Sequence, residues 1–191
     1  MRIVGGKLRG RPLRAPKGKR LRPSAERLRE ALFDILIHAD LGQPPLSGAT
    51  LVDLFAGTGA LGLEALSRGA SHVVLVENDR AALSELRANI AALRAEHETR
   101  VIAGDATDLP LSLERYDFAL LDPPYRSGLG PLALKELARK GWLKKGAFAV
   151  IELAAKEPFP VPADYELIEE RRYGKGRIVI LRLVRAGAAS D

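Results

Sequence analysis

Thr50-Leu51-Val52-Asp53-Leu54-Phe55-Ala56-Gly57-Thr58-Gly59-Ala60-Leu61-Gly62 runs from strand formers through a glycine turn into a helical pattern. The turn is a G-x-G-x-x-G between a strand and a helix. Glycines there allow a tight turn and let a ligand approach the backbone closely. The helix N-terminus that follows favours negative charge. From Thr50 onward strand and helix alternate. Strands are expected at 50–55, 72–77, 100–104, 116–122 and 146–152, with helices near 60–69, 79–95 and 130–140. The link between the third and fourth strands is weakly specified and leaves room for a short helix. Repeated βαβ units imply an α/β fold with a parallel sheet and right-handed crossovers. Near the C-terminus, 165–172 and 177–184 flank Tyr173-Gly174-Lys175-Gly176, the pattern of an antiparallel hairpin.

Acids mark three strand ends. Glu77 ends the second strand, twenty residues after Gly57, where a carboxylate can accept hydrogen bonds from ribose hydroxyls. Asp105 ends the third, where an acceptor suits an adenine amino group. Together they point to an adenosine-bearing ligand, and Phe55, Asn78 and Ala106 flank these positions as further cofactor-side candidates. A dinucleotide fits the glycine spacing, as does S-adenosylmethionine. Asp53, within the first strand, favours the latter, because it can approach a cationic amine; it can equally bond the loop backbone.

The fourth strand, Phe118-Ala119-Leu120-Leu121, is apolar throughout, as a strand covered on both faces should be. It delivers Asp122-Pro123-Pro124-Tyr125 to the carboxyl edge, where open α/β sheets bind ligands. The prolines fix their φ angles and offer no N–H. Asp122 and the Pro123 carbonyl are acceptors, and Tyr125 supplies a flat face. The set suits a planar ring bearing an amino group.

Composition narrows the classes. The 191-residue chain can bury one substantial core. No run of about 18 apolar residues suggests a membrane span, and Met1 to Lys7 lacks an apolar signal region. A cytoplasmic protein without membrane association is expected. There is no cysteine, which excludes disulfides and thiolate chemistry, and His38, His72 and His97 lack metal-ligand spacing. No metal is expected. Charge is unevenly placed. Nine bases, among them Lys7, Arg9, Arg11 and Arg22, precede Pro23 with no acid before Glu26. The remaining 21 bases face 24 acids, so the rest of the chain carries −3 against an overall +6. Such a basic block suits a nucleic-acid-binding arm, partly ordered by its interspersed apolar residues. The organisation is thus a basic arm (1–22), an amphipathic helix (24–39, with Ser24 as N-cap) and linker to 49, a catalytic domain (50–184) and a flexible tail (185–191). At the helix start, Arg27 and Arg29 either hold phosphates or pair with Glu26 and Glu30.

The chain resembles a known family. Asp53 to Gly59 looks like the first motif of class I methyltransferases, and Asp122 to Tyr125 like the (Asn/Asp)-Pro-Pro-(Tyr/Phe) motif of those that methylate exocyclic or amide nitrogens. Arg2-Ile3-Val4-Gly5-Gly6-Lys7-Leu8-Arg9-Gly10, Leu21-Arg22-Pro23-Ser24 and Arg27-Leu28-Arg29-Glu30-Ala31-Leu32-Phe33 resemble the RsmD-type small-subunit rRNA guanine-N2 methyltransferases. The resemblance implies a Rossmann-like, seven-stranded, mostly parallel sheet of order 3-2-1-4-5-7-6. It implies methyl transfer from S-adenosylmethionine to a guanosine N2 amine in 16S rRNA or a small-subunit assembly intermediate, by a monomer. Gly57, Gly59, Glu77 and Asp105 would match the cofactor site, and Asp122 to Tyr125 the target-base motif. Ser24 replaces a common Thr, and Tyr125 a common Phe. Three other readings compete: a DNA adenine-N6 methyltransferase, a nicotinamide-dependent oxidoreductase and a non-catalytic RNA-binding module. The first lacks a DNA-recognition domain, the second leaves the arm and Asp122 to Tyr125 unexplained, and the third leaves the strand-end acids unexplained.

Overall fold

Alternate residues of the inner strands are apolar on both faces, so the sheet must be covered twice. The computed structural model describes residues 1–15 and 23–185, with side chains of the second stretch from Glu26 onward. The cations Lys17, Lys19, Arg20 and Arg22, the Ser24 cap and the tail 186–191 lie outside what is described. The elements are α1 (Pro23–His38), β1 (Thr50–Leu54), α2 (Ala60–Ser67), β2 (His72–Glu77), α3 (Arg80–Leu93), β3 (Thr99–Ala103), β4 (Tyr116–Leu121), α4 (Leu129–Arg139), β5 (Leu143–Ala154), β6 (Tyr165–Tyr173) and β7 (Gly176–Leu183). Seven strands form one sheet of order β3-β2-β1-β4-β5-β7-β6. β1 to β5 are parallel; β7 runs antiparallel to β5 and β6.

One face of the sheet, through Leu51, Val73, Leu75, Phe118, Leu120 and Phe148, packs against α1, α2 and α3. The other, through Val52, Leu54, Val74, Val76, Ala119 and Leu121, meets α4 and Trp142. Each fully buried large apolar side chain contributes roughly 1.5–3 kcal/mol. α1 starts with proline at its first position, where the missing N–H costs nothing. Asp79 caps α3 by accepting from Ala82 N–H at 2.7 Å.

Two expectations are corrected. The β3–β4 connection contains no helix. Pro110 breaks the local pattern, and Trp142 Nε1 donates to the Pro110 carbonyl at 2.8 Å while its ring stacks on Tyr116 at 5.7 Å. The strand through Phe148 is also longer than 146–152, beginning at Leu143 and running to Ala154.

Residues 1–15 dock on the core through two buried side chains. Ile3 and Leu13 are buried, and Arg2 and Pro12 form an antiparallel bridge. Glu64 of α2, fully buried, accepts Val4 N–H at 2.8 Å, Gly5 N–H at 2.7 Å and Arg68 Nε at 2.8 Å. Arg29 lies 3.5 Å from the same carboxylate and donates to the Arg2 carbonyl at 2.6 Å. Arg29 is 4% exposed, so of the two sequence readings phosphate binding is excluded, and its ionic partner is Glu64 of α2 in place of Glu26 or Glu30 of its own helix; it pins the arm. Burial lowers its pKa most, and the Glu64 charge works against that.

Removing one partner of a buried ionic network typically costs about 3–5 kcal/mol, because the other charge stays buried. Glu64→Ala is therefore expected to lose stability on that scale in chemical denaturation. It should also expose residues 1–15 to limited proteolysis before the rest unfolds.

Candidate active site

Strand order reverses between β1 and β4, and at the carboxyl edge of such a switch point open α/β sheets have their ligand crevice. The glycine turn leaves β1 on one side, and Asp122-Pro123-Pro124-Tyr125 leaves β4 on the other. The backbone at the end of β1 is unusual. Phe55 has φ +60°, a conformation costly for a residue with a side chain. Gly59, the N-cap of α2, has φ +83°, and a Cβ there would sit 2.5 Å from Leu86. At Gly62 a Cβ would come within 2.9 Å of Val73 and Leu75, so only glycine lets α2 lie this close to the sheet.

Asp53 shares the face of Leu51, beneath α2. Its Oδ2 accepts Gly62 N–H at 2.8 Å, while Oδ1 is buried without a hydrogen-bond partner. Burial is the main cause that raises its pKa from 3.8 to about 7; the Gly62 N–H opposes this and the Glu77 charge adds to it. Both sequence readings of Asp53 thus have a counterpart: one oxygen holds the loop, and the other is an orphaned acceptor suited to a cationic amine. Glu77 is more occupied than expected of a ribose acid. Its carboxylate takes Gly57 N–H at 2.7 Å, Asn78 N–H at 2.9 Å and Asp79 N–H at 2.8 Å. A carboxylate has about four acceptor sites, so room for a hydroxyl remains. Asp105 accepts the N–H and hydroxyl of Thr107, both at 2.8 Å, which lower its pKa. Ala106 beside it is buried.

Across the crevice, Pro123 is buried while Asp122, Pro124 and Tyr125 are exposed. The Tyr125 ring, 44% exposed, is oriented by its hydroxyl, which donates to Glu152 Oε1 at 2.6 Å. Asp122 touches solvent along the cleft, yet the strand ends around it withdraw water. That loss of water, then the charges of Glu152 and Asp53, raise its pKa well above its usual value. Glu152 is raised too, by burial first, with the Tyr125 hydroxyl and Arg29 opposing. Sequence reasoning missed Glu152 as a site residue. Its signal was an acid closing the strand next to β4.

The expected site residues Asp53, Phe55, Gly57, Gly59, Glu77, Asn78, Asp105, Ala106 and Asp122 to Tyr125 all lie at the carboxyl ends of β1 to β4. The candidate RNA cations divide. Arg9 and Arg27 line, with Arg2, a cleft of about 340 Å³ between arm and α1 that also contains Glu26 and Glu30. Lys7 and Arg11 are exposed on the arm. Arm and glycine turn meet at Asn89 of α3. Its amide donates to the carbonyls of Arg14 (3.1 Å) and Thr58 (2.9 Å) and accepts Arg14 N–H at 2.7 Å. Among the described residues no cluster of His, Asp and Glu forms a metal site, and no helix is long and apolar enough to cross a membrane.

A seven-stranded sheet with only β7 reversed against its neighbours, and a glycine loop opposite Asp-Pro-Pro-Tyr at the switch point, define a class I methyltransferase fold. Comparisons agree. The family described as conserved hypothetical protein 95 matches residues 1–182. Ribosomal RNA small subunit methyltransferase D of Escherichia coli K12 is 38% identical over 92% of this chain and 86% of that protein. Its Haemophilus influenzae namesake is 33% identical over 91% and 89%. A solved Escherichia coli protein described as a candidate methyltransferase superimposes with TM-score 0.82 at 36% identity, covering 97% of this chain and 98% of that one. The chain belongs to the conserved hypothetical protein 95 family, the RsmD-type methyltransferases.

With its pKa raised, and with no cation beside Oδ1 among the described residues, Asp53 holds a proton in the folded state that the unfolded chain releases above about pH 4. Its contribution to stability is full in acid and is lost as pH rises through about 7. Asp53→Asn keeps an acceptor for Gly62 N–H and should remove that fall, on the order of a few kcal/mol. Denaturation of both proteins from pH 4 to 8 checks it: the difference between them should narrow or reverse in favour of the variant as pH rises.

Proposed function

We propose that this chain transfers a methyl group from S-adenosylmethionine to the N2 amine of a guanosine in small-subunit rRNA. The observation that carries this reading is the placement of Asp122-Pro123-Pro124-Tyr125 directly across the switch point from the glycine turn. Relatives named for small-subunit rRNA methylation, matching along nearly the whole chain, support it. So do the arm's exposed cations.

The residues present fit the donor. The orphaned Asp53 Oδ1 suits its ammonium group, backbone N–H groups of the glycine turn its carboxylate, Glu77 its ribose and Asp105 with Asn78 and Ala106 the adenine side. When bound, S-adenosylmethionine supplies a methyl group already activated by its sulfonium. The protein's task is to present the nitrogen. A guanine N2 lone pair is conjugated with the ring and is a weak nucleophile. Asp122 and the Pro123 carbonyl would accept its two N–H groups, orienting the lone pair and favouring a more tetrahedral nitrogen. The Asp122 carboxylate stabilises positive charge developing there. Crowded carboxylates hold a proton more readily than a solvated one, so the pair Asp122–Glu152 suits uptake of the proton that the nitrogen sheds. Tyr125 would stack on the extruded base, an interaction worth about 1–3 kcal/mol. An unpaired loop as target keeps the cost of extrusion low.

The direct test is methyl transfer to undermethylated small subunits or 16S rRNA, with the modified nucleoside mapped by mass spectrometry. N2-methylguanosine at one site is expected; methyl transfer to duplex DNA alone would refute the reading. Asp122→Ala should lower transfer by about 100-fold or more, with S-adenosylhomocysteine binding by calorimetry nearly intact.

Lys7, Arg9 and Arg11 are exposed, so they can be neutralised without disturbing the docked arm. The triple change to Gln should weaken RNA binding. It should also flatten the plot of log K against log salt by about 0.7 for each phosphate that the variant leaves unneutralised. An unchanged slope would show that these cations do not bind phosphate.

A further inference from the structure

Three carboxylates stand on one face at the ends of adjacent strands. Asp53 pairs with Leu120 across β1 and β4, and Leu121 pairs with Ile151 across β4 and β5. One step further along both strands brings Asp122 beside Glu152. Alternation places both on the face of Leu120 and Val150, where Asp53 also lies. Asp53 has a structural duty toward Gly62, and Asp122 belongs to the target-base motif. Glu152 has neither role. It accepts the Tyr125 hydroxyl, but a neutral amide or a backbone carbonyl would do that at lower cost. Placing a carboxylate beside two others is costly; the Tyr125 hydroxyl and the Arg29 charge offset part of that cost, and N–H donors on a ligand would offset more.

Guanine carries such donors in a row. Its N1–H stands next to the exocyclic N2 amine on one edge. Adenine offers an acceptor at N1, and a carboxylate facing it would set lone pair against lone pair. With Asp122 and the Pro123 carbonyl engaged by the amine, the neighbouring acceptor meets N1–H. We propose that Glu152 is the specificity-determining residue of this site, reading guanine by accepting its N1–H while its bond to the Tyr125 hydroxyl fixes the stacking ring. The proposal rests on the guanine-N2 reading above and adds to it the group that selects the base.

The test uses 2-aminopurine, which keeps the 2-amino group but lacks the N1–H. Once mapping has located the target nucleoside, 16S rRNA carrying guanosine or 2-aminopurine there is prepared and offered to the full-length enzyme, alone or in reconstituted subunits. Wild type should favour guanosine by about 100-fold or more in kcat/KM, as sites built for a polar donor do. Glu152→Gln still accepts the Tyr125 hydroxyl and can turn an N–H toward the N1 acceptor, so its preference should fall at least about tenfold, chiefly by losing guanosine activity. Tyr125→Phe removes the hydroxyl but not the reader, and should weaken transfer to both bases while keeping the preference. Glu152→Ala, which offers no acceptor, should also lose preference and serves if the Gln variant is unstable. S-adenosylhomocysteine binding and thermal melting of each variant establish that it is folded. An unchanged ratio in the Glu152 variants, or equal loss on both bases, overturns the proposal while leaving guanine methylation standing. Absence of any guanosine methylation by wild type overturns both.

Discussion

The hydrogen bond from Gly62 N–H to Asp53 Oδ2 ties the first crossover helix to the central strand, and much of the molecule hangs from that tie. It fixes the start of α2 against β1, where Val73, Leu75 and Asp53 leave no room for a Cβ. Further along, the same helix presents Glu64, which receives Val4, Gly5, Arg29 and Arg68. Ser67 follows, taking Leu8 N–H on its hydroxyl and Lys7 N–H on its carbonyl. A single well-packed helix thereby positions the glycine turn at one end and the N-terminal arm at the other.

Charge is concentrated with equal economy at the opposite side of the crevice. Parallel strands must all end at one edge, so polar residues near the ends of β1, β4 and β5 are forced into proximity. Loss of water therefore raises the pKa of Asp53, Asp122 and Glu152 alike, and the charges of Asp53 and Glu152 raise that of Asp122 further. A structure evolved only for stability would avoid this crowding. Its persistence beside an oriented tyrosine marks the place where a donor-rich ligand belongs.

Most of the architecture was legible because parallel βαβ units announce themselves twice, by apolar runs and by helical periodicity. Strand ends carrying Glu77, Asp105 and Asp122 could be placed to within a residue or two. Residues whose partners lie far away in sequence were not legible. Glu64 has the pattern of one more helix-surface acid, yet the groups it binds include backbone N–H groups some sixty residues distant. Arg29 resembles surface charge for the same reason. Glu152 was visible as the close of a strand, but only the β4–β5 register shows that it stands beside Asp122. The β3–β4 link escaped because its shape is set by Trp142, thirty-two residues beyond the carbonyl to which it donates. The apolar residues scattered through the basic arm did foretell order there, and Ile3 and Leu13 are the anchors.

Asn89 spends one buried amide on both the glycine turn and the chain's first segment. Thr58 and Arg14 are consequently braced by a common strut. Displacing either one strands a polar group of the buried Asn89, so the N-terminal arm and the glycine turn are held to one another.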